Sequence, residues 1–409
     1  MVINKYKKTE AGMLPEDWDV IRIGEFTDVS SGGTPNTSVK EFWNGDIPWM
    51  NSGDLNKKYI SDVSGRITEK GLLSSSTHWI PANCVLIGLA GQGKTRGTAA
   101  VNYIPLCTNQ STAAIYPSKI LDPHFLLYVM ESKYSQLREM SSGDGIRGGL
   151  TKALIKSVAV QVPPKNEQQQ IASVIYDVDT LIAELEQSIK KYKNLKKACI
   201  DHLYPRSNQK KPDIRVADYI KPYEYEVAEK LFDTFNDRGH SDLPVLMATQ
   251  EKGMIFRDDS DIEIQHDEKN EITYKRVLPG QFVVHLRSFQ GGFAHSNLKG
   301  ITSPAYTVFG FKDEKKHSDY YWKYLFCSES FINSLAKVTY GIRDGRSINF
   351  SEFLKTGFYL PSKDEETEIG IFLYEIDKVI DLSNKKLKKY RGIKQSMMEE
   401  LLTGKVRLV

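Results

Sequence analysis

The segment PPKNEQQQIASVIYDVDTLIAELEQSIKKYKNLKKACIDHL at residues 163–203 returns at residues 361–401 as PSKDEETEIGIFLYEIDKVIDLSNKKLKKYRGIKQSMMEEL. The two copies align without a gap at a constant offset of 198 residues. Identical residues occupy the pairs Lys165/Lys363, Ile171/Ile369, Tyr176/Tyr374, Asp179/Asp377, Ile182/Ile380, Lys190/Lys388, Lys191/Lys389, Tyr192/Tyr390, Lys196/Lys394 and Leu203/Leu401. This period is too long for a solenoid, so it indicates two copies of a whole unit, each a globular part followed by a helix.

Both copies carry apolar residues at heptad spacing, which predicts two long amphipathic helices that pair with each other. The places predicted for the seam are Ile171, Val178, Leu185, Tyr192 with Val174, Leu181, Leu195 in the first copy, and Ile369, Ile376, Tyr390, Met397 with Phe372, Val379, Ile393 in the second. Ile175, Ile182 and Ile189 widen the first stripe. Because only a short linker follows the first helix, the second helix must run back along it, and the pairing should be antiparallel.

The remaining sequence carries short apolar runs between turn residues, which are strand signals, with one helix signal near Pro123 and another near Tyr320. We therefore predict an α/β (α+β) chain with a pseudo-twofold internal repeat, in which a long antiparallel two-helix coiled coil separates two globular domains. The predicted divisions are 1–162 and 205–360 for the domains, 163–204 and 361–403 for the spacer helices, and 404–409 for a tail.

Composition bounds the class of protein but does not name a ligand. The chain has 55 basic and 52 acidic residues, so its net charge of +3 favours no particular partner. Its four cysteines lie far apart without C-x-x-C spacing, which argues against a disulfide framework or a zinc site. The start of the chain has no apolar leader, and no apolar run reaches 18 residues. These features predict a soluble cytoplasmic protein.

Gly88–Thr95 matches the P-loop pattern G-x-x-x-x-G-K-[ST] and follows a strand signal. A P-loop needs a helix directly after it, but the sequence from Arg96 to Pro105 is short and β-prone. No Walker-B aspartate follows, and the equivalent stretch of the second copy lacks the lysine. The sequence therefore favours a glycine-rich basic hairpin over a nucleotide site. A P-loop ATPase with coiled-coil arms stays as an alternative function.

Matched glycine-rich loops with basic residues occur in both copies. Lys94 and Arg96 correspond to Arg287 and Gln290, and Gly-Ile-Arg-x-Gly appears around both Arg147 and Arg343. Backbone amides beside such side chains suit phosphate contacts and base readout in a DNA groove. The predicted DNA-binding residues are Thr34, Asn51, Lys94, Thr95, Arg96, Asn109 and Arg147 in the first domain, and Arg287, Gln290, His295, Arg343 and Arg346 in the second. Trp43 and Trp49, which flank turn residues, are interpreted as core anchors in preference to base-stacking groups.

The sequence carries no recognisable catalytic pattern. The sequence offers no nucleophile triad, no paired histidines at metal spacing and no methyltransferase motif of the Asn/Asp-Pro-Pro-Tyr/Phe type. We therefore predict a chain without catalytic or metal-ligating residues. A purely structural coiled-coil adaptor is the second alternative function.

Several of these motifs together resemble the specificity subunits of type I restriction–modification enzymes. The segments that carry the resemblance are Leu14–Trp18, Ile23–Glu25, Ser31–Pro35, Ile47–Trp49, Asn109–Ser111, Gly145–Thr151, Pro163–Ile171, Gly300–Tyr306 and Leu401–Lys405. The resemblance covers the whole chain and the order of its parts. It is therefore more specific than any single motif.

The resemblance implies a function that the residues alone do not define. A specificity subunit binds a bipartite DNA site, one domain to each half, while the helices set the gap and dock methyltransferase subunits. Those subunits use S-adenosylmethionine, and restriction and translocase subunits use ATP and magnesium, so this chain itself would bind no cofactor. The second domain lacks the Leu-Pro-x-x-Trp and Ile-Pro-Trp segments of the first. The resemblance therefore implies an asymmetric DNA site.

Overall fold

The computed structural model describes residues 5–408 except 92, 142–148, 207–208, 250–251, 261–267, 285–291, 336–338 and 341–346. The chain divides into two compact units. Unit one comprises Met1–Glu184 with Leu387–Val409, and unit two comprises Leu185–Lys386. Each unit therefore contains one globular part and one half of each long helix.

The described residues form short helices around two long ones. The α-helices are α1 (Ile23–Phe26), α2 (Glu69–Leu73), α3 (Pro123–Ser132), α4 (Tyr134–Met140), α5 (Lys152–Ser157), α6 (Lys165–Leu203), α7 (Ala228–Leu231), α8 (Asp319–Leu325), α9 (Glu329–Leu335), α10 (Phe350–Leu354) and α11 (Lys363–Leu401). Short 3-10 helices occupy Lys40–Phe42, Ser52–Lys57, Arg257–Asp259 and Glu268–Thr273. No helix among the described residues is both long enough and apolar enough to span a membrane.

The strands are short, and both globular parts mix them with helices. In unit one they are β1 (Tyr6–Thr9), β2 (Gly12–Pro15), β3 (Asp19–Arg22), β4 (Val29–Ser31), β5 (Trp43–Met50), β6 (Tyr59–Ile60), β7 (Arg66–Ile67), β8 (Trp79–Ile80), β9 (Val85–Gly88), β10 (Ala99–Asn102), β11 (Leu106–Thr108), β12 (Thr112–Ile115) and β13 (Ala159–Val162). In unit two they are β14 (Glu224–Val227), β15 (Phe232–Phe235), β16 (Leu246–Thr249), β17 (Gly253–Phe256), β18 (Lys275–Val277), β19 (Phe282–Val284), β20 (Phe293–His295), β21 (Gly300–Thr302), β22 (Thr307–Phe311), β23 (Thr339–Tyr340), β24 (Ser347–Ile348) and β25 (Gly357–Leu360).

The globular part of unit one is built on a five-stranded sheet of order β4-β12-β9-β10-β6 and a four-stranded sheet of order β7-β5-β11-β8. Strands β9, β10 and β12 are buried along their whole length, so both faces of the central sheet are covered. One face packs against α3, whose Phe125, Leu127 and Val129 are fully buried. The sheet and this helix form the core on which the loops are mounted.

The globular part of unit two is smaller in its sheets and richer in aromatic packing. Its main sheet has four strands in the order β15-β22-β19-β20, and the other described strands pair in twos. Phe232 packs edge-on against Phe309 and Trp322, with ring centroids 5.3 and 4.9 Å apart. Phe326 and Phe353 extend this cluster. The two globular parts thus share helix placement but differ in their sheets.

In each unit the long helices run antiparallel. In unit one, Glu167 near the start of α6 binds Arg407 beyond the end of α11 at 2.6 Å, and Asp179 further along α6 binds Lys394 at 2.8 Å. Residue numbers therefore rise along α6 where they fall along α11, so the two helices run in opposite directions in this unit. In unit two, Lys196 binds Asp377 at 2.5 Å, and Arg215 beyond α6 pairs with Glu365 near the start of α11. The predicted antiparallel pairing of the two helices is confirmed within each unit.

One of the two heptad rows assigned to the seam is mostly exposed instead of buried, and only its Leu181 is half-buried. Val174 and Leu195 on α6 and Phe372, Val379 and Ile393 on α11 are all more than a third exposed. The row one residue further along is buried or half-buried instead, at Ile175, Ile182, Ile189, Lys196 and Leu203 in α6 and at Leu373, Ile380, Leu387, Lys394 and Leu401 in α11. Heptad spacing allowed either apolar row beside the Ile171 row. The correct one contains Lys196 and Lys394, whose charge disguises it in the sequence.

Candidate nucleic-acid interface

Six of the seven residues predicted for DNA contact in the first domain lie in loops at one edge of the two sheets. Strand β12 begins where β4 and β9 end, with Ala113 opposite Ser31 and Thr112 opposite Gly88. Parallel strands β5 and β11 also end together, with Met50 opposite Thr108. The loops that leave this edge carry Thr34, Asn51, Lys94, Thr95, Arg96 and Asn109. The seventh residue, Arg147, lies outside the described residues.

The P-loop match forms the turn of a β-hairpin. Strands β9 and β10 pair antiparallel on either side of it, with Ile87 opposite Ala99, and a strand follows where a P-loop would need a helix. Gly97 has φ +85°, a left-handed conformation that glycine adopts without strain. The predicted hairpin is confirmed, and this geometry lacks the helix N-terminus that would hold a triphosphate. Lys94 is exposed on the turn, and Thr95 and Arg96 are half-buried.

Helix α4 braces this hairpin from behind. Arg138 Nη1 donates to the carbonyl oxygen of Gly93 at 2.8 Å, and Tyr134 Oη donates to that of Lys94 at 3.0 Å. The Arg138 guanidinium also lies 5.5 Å from the centre of the Tyr134 ring. These bonds fix the backbone on which Lys94 and Arg96 are mounted. No sequence pattern indicated Arg138 or Tyr134, because they act on backbone atoms about 40 residues away along the chain.

The tryptophans serve as anchors behind the same edge, as predicted. Trp49 is 9% exposed, and its Nε1 donates to the carbonyl oxygen of Gly33 at 3.0 Å. Trp43 packs against it edge-on, with ring centroids 5.1 Å apart. Thr34, which follows Gly33 in the chain, is exposed, and its hydroxyl donates to Gln110 Oε1 at 2.6 Å. The aromatic pair therefore sets the path of the loop that carries Thr34.

The two asparagines of this edge use their side-chain oxygens to shape the loops. Asn51 Oδ1 accepts from the Gly53 amide at 2.7 Å and caps the 3-10 helix Ser52–Lys57. Asn109 Oδ1 accepts from the Ser111 amide at 3.2 Å and from the Thr112 hydroxyl at 3.1 Å. Both residues are thus structural as well as candidate DNA contacts. Any base contact by either side chain would be made by its amide NH₂ group.

In unit two only one predicted contact residue lies among those described. His295 on β20 is 4% exposed, and its Nε2 lies 2.7 Å from Asp319 Oδ2. Burial lowers the pKa of His295 even though the adjacent carboxylate opposes that effect. This environment suits a core histidine better than a base-contacting one. Arg287, Gln290, Arg343 and Arg346 lie outside the described residues.

The described residues offer no obvious centre for a metal. No cluster of three or more His, Cys, Asp or Glu side chains suitable for an ion occurs in the part of the chain that the structure describes. The edge of the sheets in unit one combines an exposed ammonium, a guanidinium, hydroxyls and amides on braced loops. Such groups can contact phosphates and base edges.

Comparison with known proteins finds similarity to one family. Residues 15–194 match the family model described as type I restriction modification DNA specificity domain. The type I restriction enzyme MjaVIII specificity subunit of Methanocaldococcus jannaschii is 26% identical, over 98% of this chain and 96% of that protein. The MjaIX specificity subunit of the same organism is 34% identical, but over only 44% of this chain and 41% of that protein. The chain thus spans less than half the length of that second relative.

Solved structures share the fold. The S subunit of a type I restriction–modification system from M. genitalium aligns with a TM-score of 0.60 and 12% identity, over 94% of this chain and 96% of that one. A chain from a study of complex assembly and conformational transition of the type I R-M system aligns with a TM-score of 0.54 and 13% identity, over 96% of this chain and 99% of that one. At such low identity these matches concern the fold alone.

Proposed function

We propose that this chain is a specificity subunit of a type I restriction–modification system and that it recognises a bipartite DNA site through its two globular parts. The observation that carries the proposal is the repeated order of globular part and helix, matched along 98% of the chain to a specificity subunit. Residues 1–162 and 205–360 are the proposed recognition domains, and 163–204 and 361–403 the spacer helices, followed by the tail 404–409. Specificity subunits carry no catalytic site of their own.

In the first domain the proposed DNA contacts are the residues on the loops at the sheet edge. Lys94 is exposed on a braced turn and suits a phosphate, whereas Arg96 suits a base edge. The corresponding proposal for the second domain concerns Arg287, Gln290, Arg343 and Arg346. Because the two domains differ in sheet architecture, they are proposed to read different half-sites. The full site is then asymmetric.

The exposed apolar row on the long helices supports docking of partner subunits. Val174 and Ile393 lie in unit one, and their equivalents Phe372 and Leu195 lie in unit two, all more than a third exposed. Apolar residues repeated at helical spacing on an uncovered face are typical of a surface that binds further helices. Two equivalent patches suit two copies of one partner, which we propose to be the modification (methyltransferase) subunit.

The remaining activities of the complex are assigned to partners. S-adenosylmethionine is proposed to bind the modification subunits, and ATP with magnesium the restriction and translocase subunits. The assembly would act on double-stranded DNA in the cytoplasm. A variant that carries Phe372→Glu or Ile393→Glu should bind the modification subunits more weakly while its thermal unfolding stays close to wild type.

The DNA proposal is tested by selecting sequences from a random duplex library with the chain assembled on its modification subunits. Wild type should select two short specific blocks separated by a fixed unspecified gap. Arg96→Ala should cost about 1–3 kcal/mol and relax one position of a single block, whereas Lys94→Ala should weaken all sequences alike. Lys119→Ala is the matched control, because Lys119 is exposed beyond the opposite end of β12. Selection of no bipartite site, or relaxation of both blocks by Arg96→Ala, would contradict the proposal.

A further inference from the structure

Asp179 on α6 joins three parts of unit one. Its Oδ1 lies 2.8 Å from Lys394 Nζ on α11, and its Oδ2 accepts from the Tyr59 hydroxyl at 2.8 Å and pairs with Lys58. Its side chain is only 9% exposed. One carboxylate therefore contacts the opposite long helix and the start of β6 in the globular part at the same time.

A second layer from helix α3 closes this cluster. Glu131 lies 2.6 Å from Lys394 Nζ and 2.5 Å from Lys58 Nζ, so each lysine lies between two carboxylates. The Tyr128 and Tyr59 hydroxyl oxygens lie 2.6 Å apart. Burial raises the pKa of Asp179, but the ammonium groups of Lys58 and Lys394 outweigh it, and the net shift is downward. The carboxylate is therefore ionised at neutral pH.

Asp377, the equivalent residue on α11, joins the same three parts of unit two. It lies 2.5 Å from Lys196 Nζ on α6 and 3.4 Å from Lys323 Nζ on α8, and it accepts from the Tyr324 hydroxyl at 2.7 Å. Tyr324 on α8 corresponds to Tyr128 on α3, but the lysine of the globular part comes from different elements, Lys58 before β6 and Lys323 on α8. In both units an aspartate on one long helix thus contacts the other long helix and the globular part, but through partly different residues.

Stability alone does not explain these clusters. A buried ion pair adds little to stability, because the cost of removing both charges from water offsets their attraction. It does demand a particular geometry, and a polar residue in a helix seam can fix register at some cost in stability. Lys196 and Lys394 are such residues, since they lie in the row of Ile182, Ile380 and Leu387. Shifting either helix, or rotating the globular part, would leave a buried charge without its partner.

We propose that Asp179 and Asp377 are positioning residues for DNA recognition, each fixing the orientation of the globular part of its own unit on the halves of α6 and α11 in that unit. The inference rests on the proposed function, since orientation matters here because the loops at the sheet edge must meet a half-site. Neither aspartate contacts DNA in this account. Each acts through the opposite long helix and the part of the globular region that its carboxylate holds together.

The test replaces each carboxylate with its neutral isostere in the full chain assembled on its modification subunits. Asp179→Asn should lower discrimination about tenfold in the half-site read by the first domain, the size of one lost base contact. The other half-site should be unchanged, and Asp377→Asn should give the reverse pattern. Asp177→Asn and Asp381→Asn are matched controls, because both residues are exposed on the same helices. Both controls should select the wild-type site.

Milder variants keep the test decisive if either substitution prevents folding. Tyr59→Phe and Tyr324→Phe each remove one hydrogen bond to the aspartate and leave the ion pairs in place. They should affect the same single half-site as the corresponding aspartate variant, with a smaller loss. Equal loss in both half-sites, or wild-type discrimination by folded variants, would overturn the inference. If wild type itself selects no bipartite site, the proposed function fails first and the inference with it.

Discussion

The two units anchor their long helices through the same positions but with different chemistry. In unit one, Gln168 Oε1 accepts from the backbone amide of Asp122 at 2.8 Å, at the start of α3. In unit two, Glu366 Oε2 accepts from the amide of Ser318 at 2.8 Å, at the start of α8, and its other oxygen lies 3.1 Å from His317 Nδ1. The position requires an acceptor for a helix-start amide. It does not require a charge.

The glutamate that precedes this position is identical in both units, whereas its partners differ. Glu167 accepts from Trp18 Nε1 at 3.1 Å and pairs with Arg407, which follows α11. Glu365 accepts from the Tyr223 hydroxyl at 3.0 Å and pairs with Arg215, which follows α6. The two glutamates thus repeat at a fixed offset on the helices, whereas their hydrogen-bond donors and cations come from unrelated positions of the chain. Four sets of substitutions test this difference between the units.

The largest effect is expected at the seam. Ile380→Asp should destabilise unit two by about 4 kcal/mol, because it buries an unpaired charge at a site only 7% exposed. Ile182→Asp, at the equivalent position, should cost less because Ile182 is half-buried. Val379→Asp is the control on the adjacent exposed row and should cost under about 1 kcal/mol. Chemical denaturation followed by circular dichroism measures all three, and equal losses for Ile380→Asp and Val379→Asp would mean that the seam is misassigned.

Removal of either arginine should be the next largest change. Arg407→Ala and Arg215→Ala each leave a fully buried carboxylate without its cation, which costs about 3 kcal/mol. Hydrogen–deuterium exchange should show faster exchange in unit one for Arg407→Ala and in unit two for Arg215→Ala. Adding Glu365→Met to Arg215→Ala should restore much of the loss. If the double variant is no more stable than the single one, the unpaired charge is not the cause.

Exchanging glutamine and glutamate at the acceptor position should change the stability of the two units by different amounts. Gln168→Glu should destabilise unit one by about 2 kcal/mol, because a buried carboxylate would face the Ile120 and Pro163 carbonyl oxygens that the amide group now donates to at 3.1 and 2.8 Å. Gln169→Glu is the control, since Gln169 is exposed beside it on α6. Thermal unfolding measures both. Wild-type stability of Gln168→Glu at neutral pH would contradict the burial argument.

The smallest effect is expected for Glu366→Gln. Burial raises the pKa of Glu366 although His317 opposes it, so its contribution to stability is complete below the ordinary pKa and is lost as pH rises through the raised value. Glutamine keeps the acceptor for Ser318 and removes the charge. The free energy of unfolding of the variant, minus that of wild type, should therefore be larger at pH 8 than at pH 4 by up to about 1 kcal/mol. A stability difference between variant and wild type that is independent of pH would contradict this account.

The hairpin and the tryptophan anchors of the candidate site could be predicted because their signals are local. The sequence after Gly88–Thr95 excluded a helix, and the hairpin follows from that short β-prone stretch. Trp49 was predictable as an anchor from its neighbouring turn residues. His295 was not predictable as a buried partner of Asp319, because the two meet only when β20 packs beside α8. Arg138 was missed for the same reason.

The repeat, the two long helices and their antiparallel pairing follow from the amino-acid sequence alone, because apolar spacing and the order of parts along the chain are visible in it. Which apolar row forms the seam depends on contacts between residues far apart in the chain. Two rows were equally apolar, and the buried one includes Lys196 and Lys394, which are tolerable there because Asp377 and Asp179 lie opposite them. A lysine can be assigned to a seam only when its carboxylate partner, close to 200 residues away in the chain, is known to contact it.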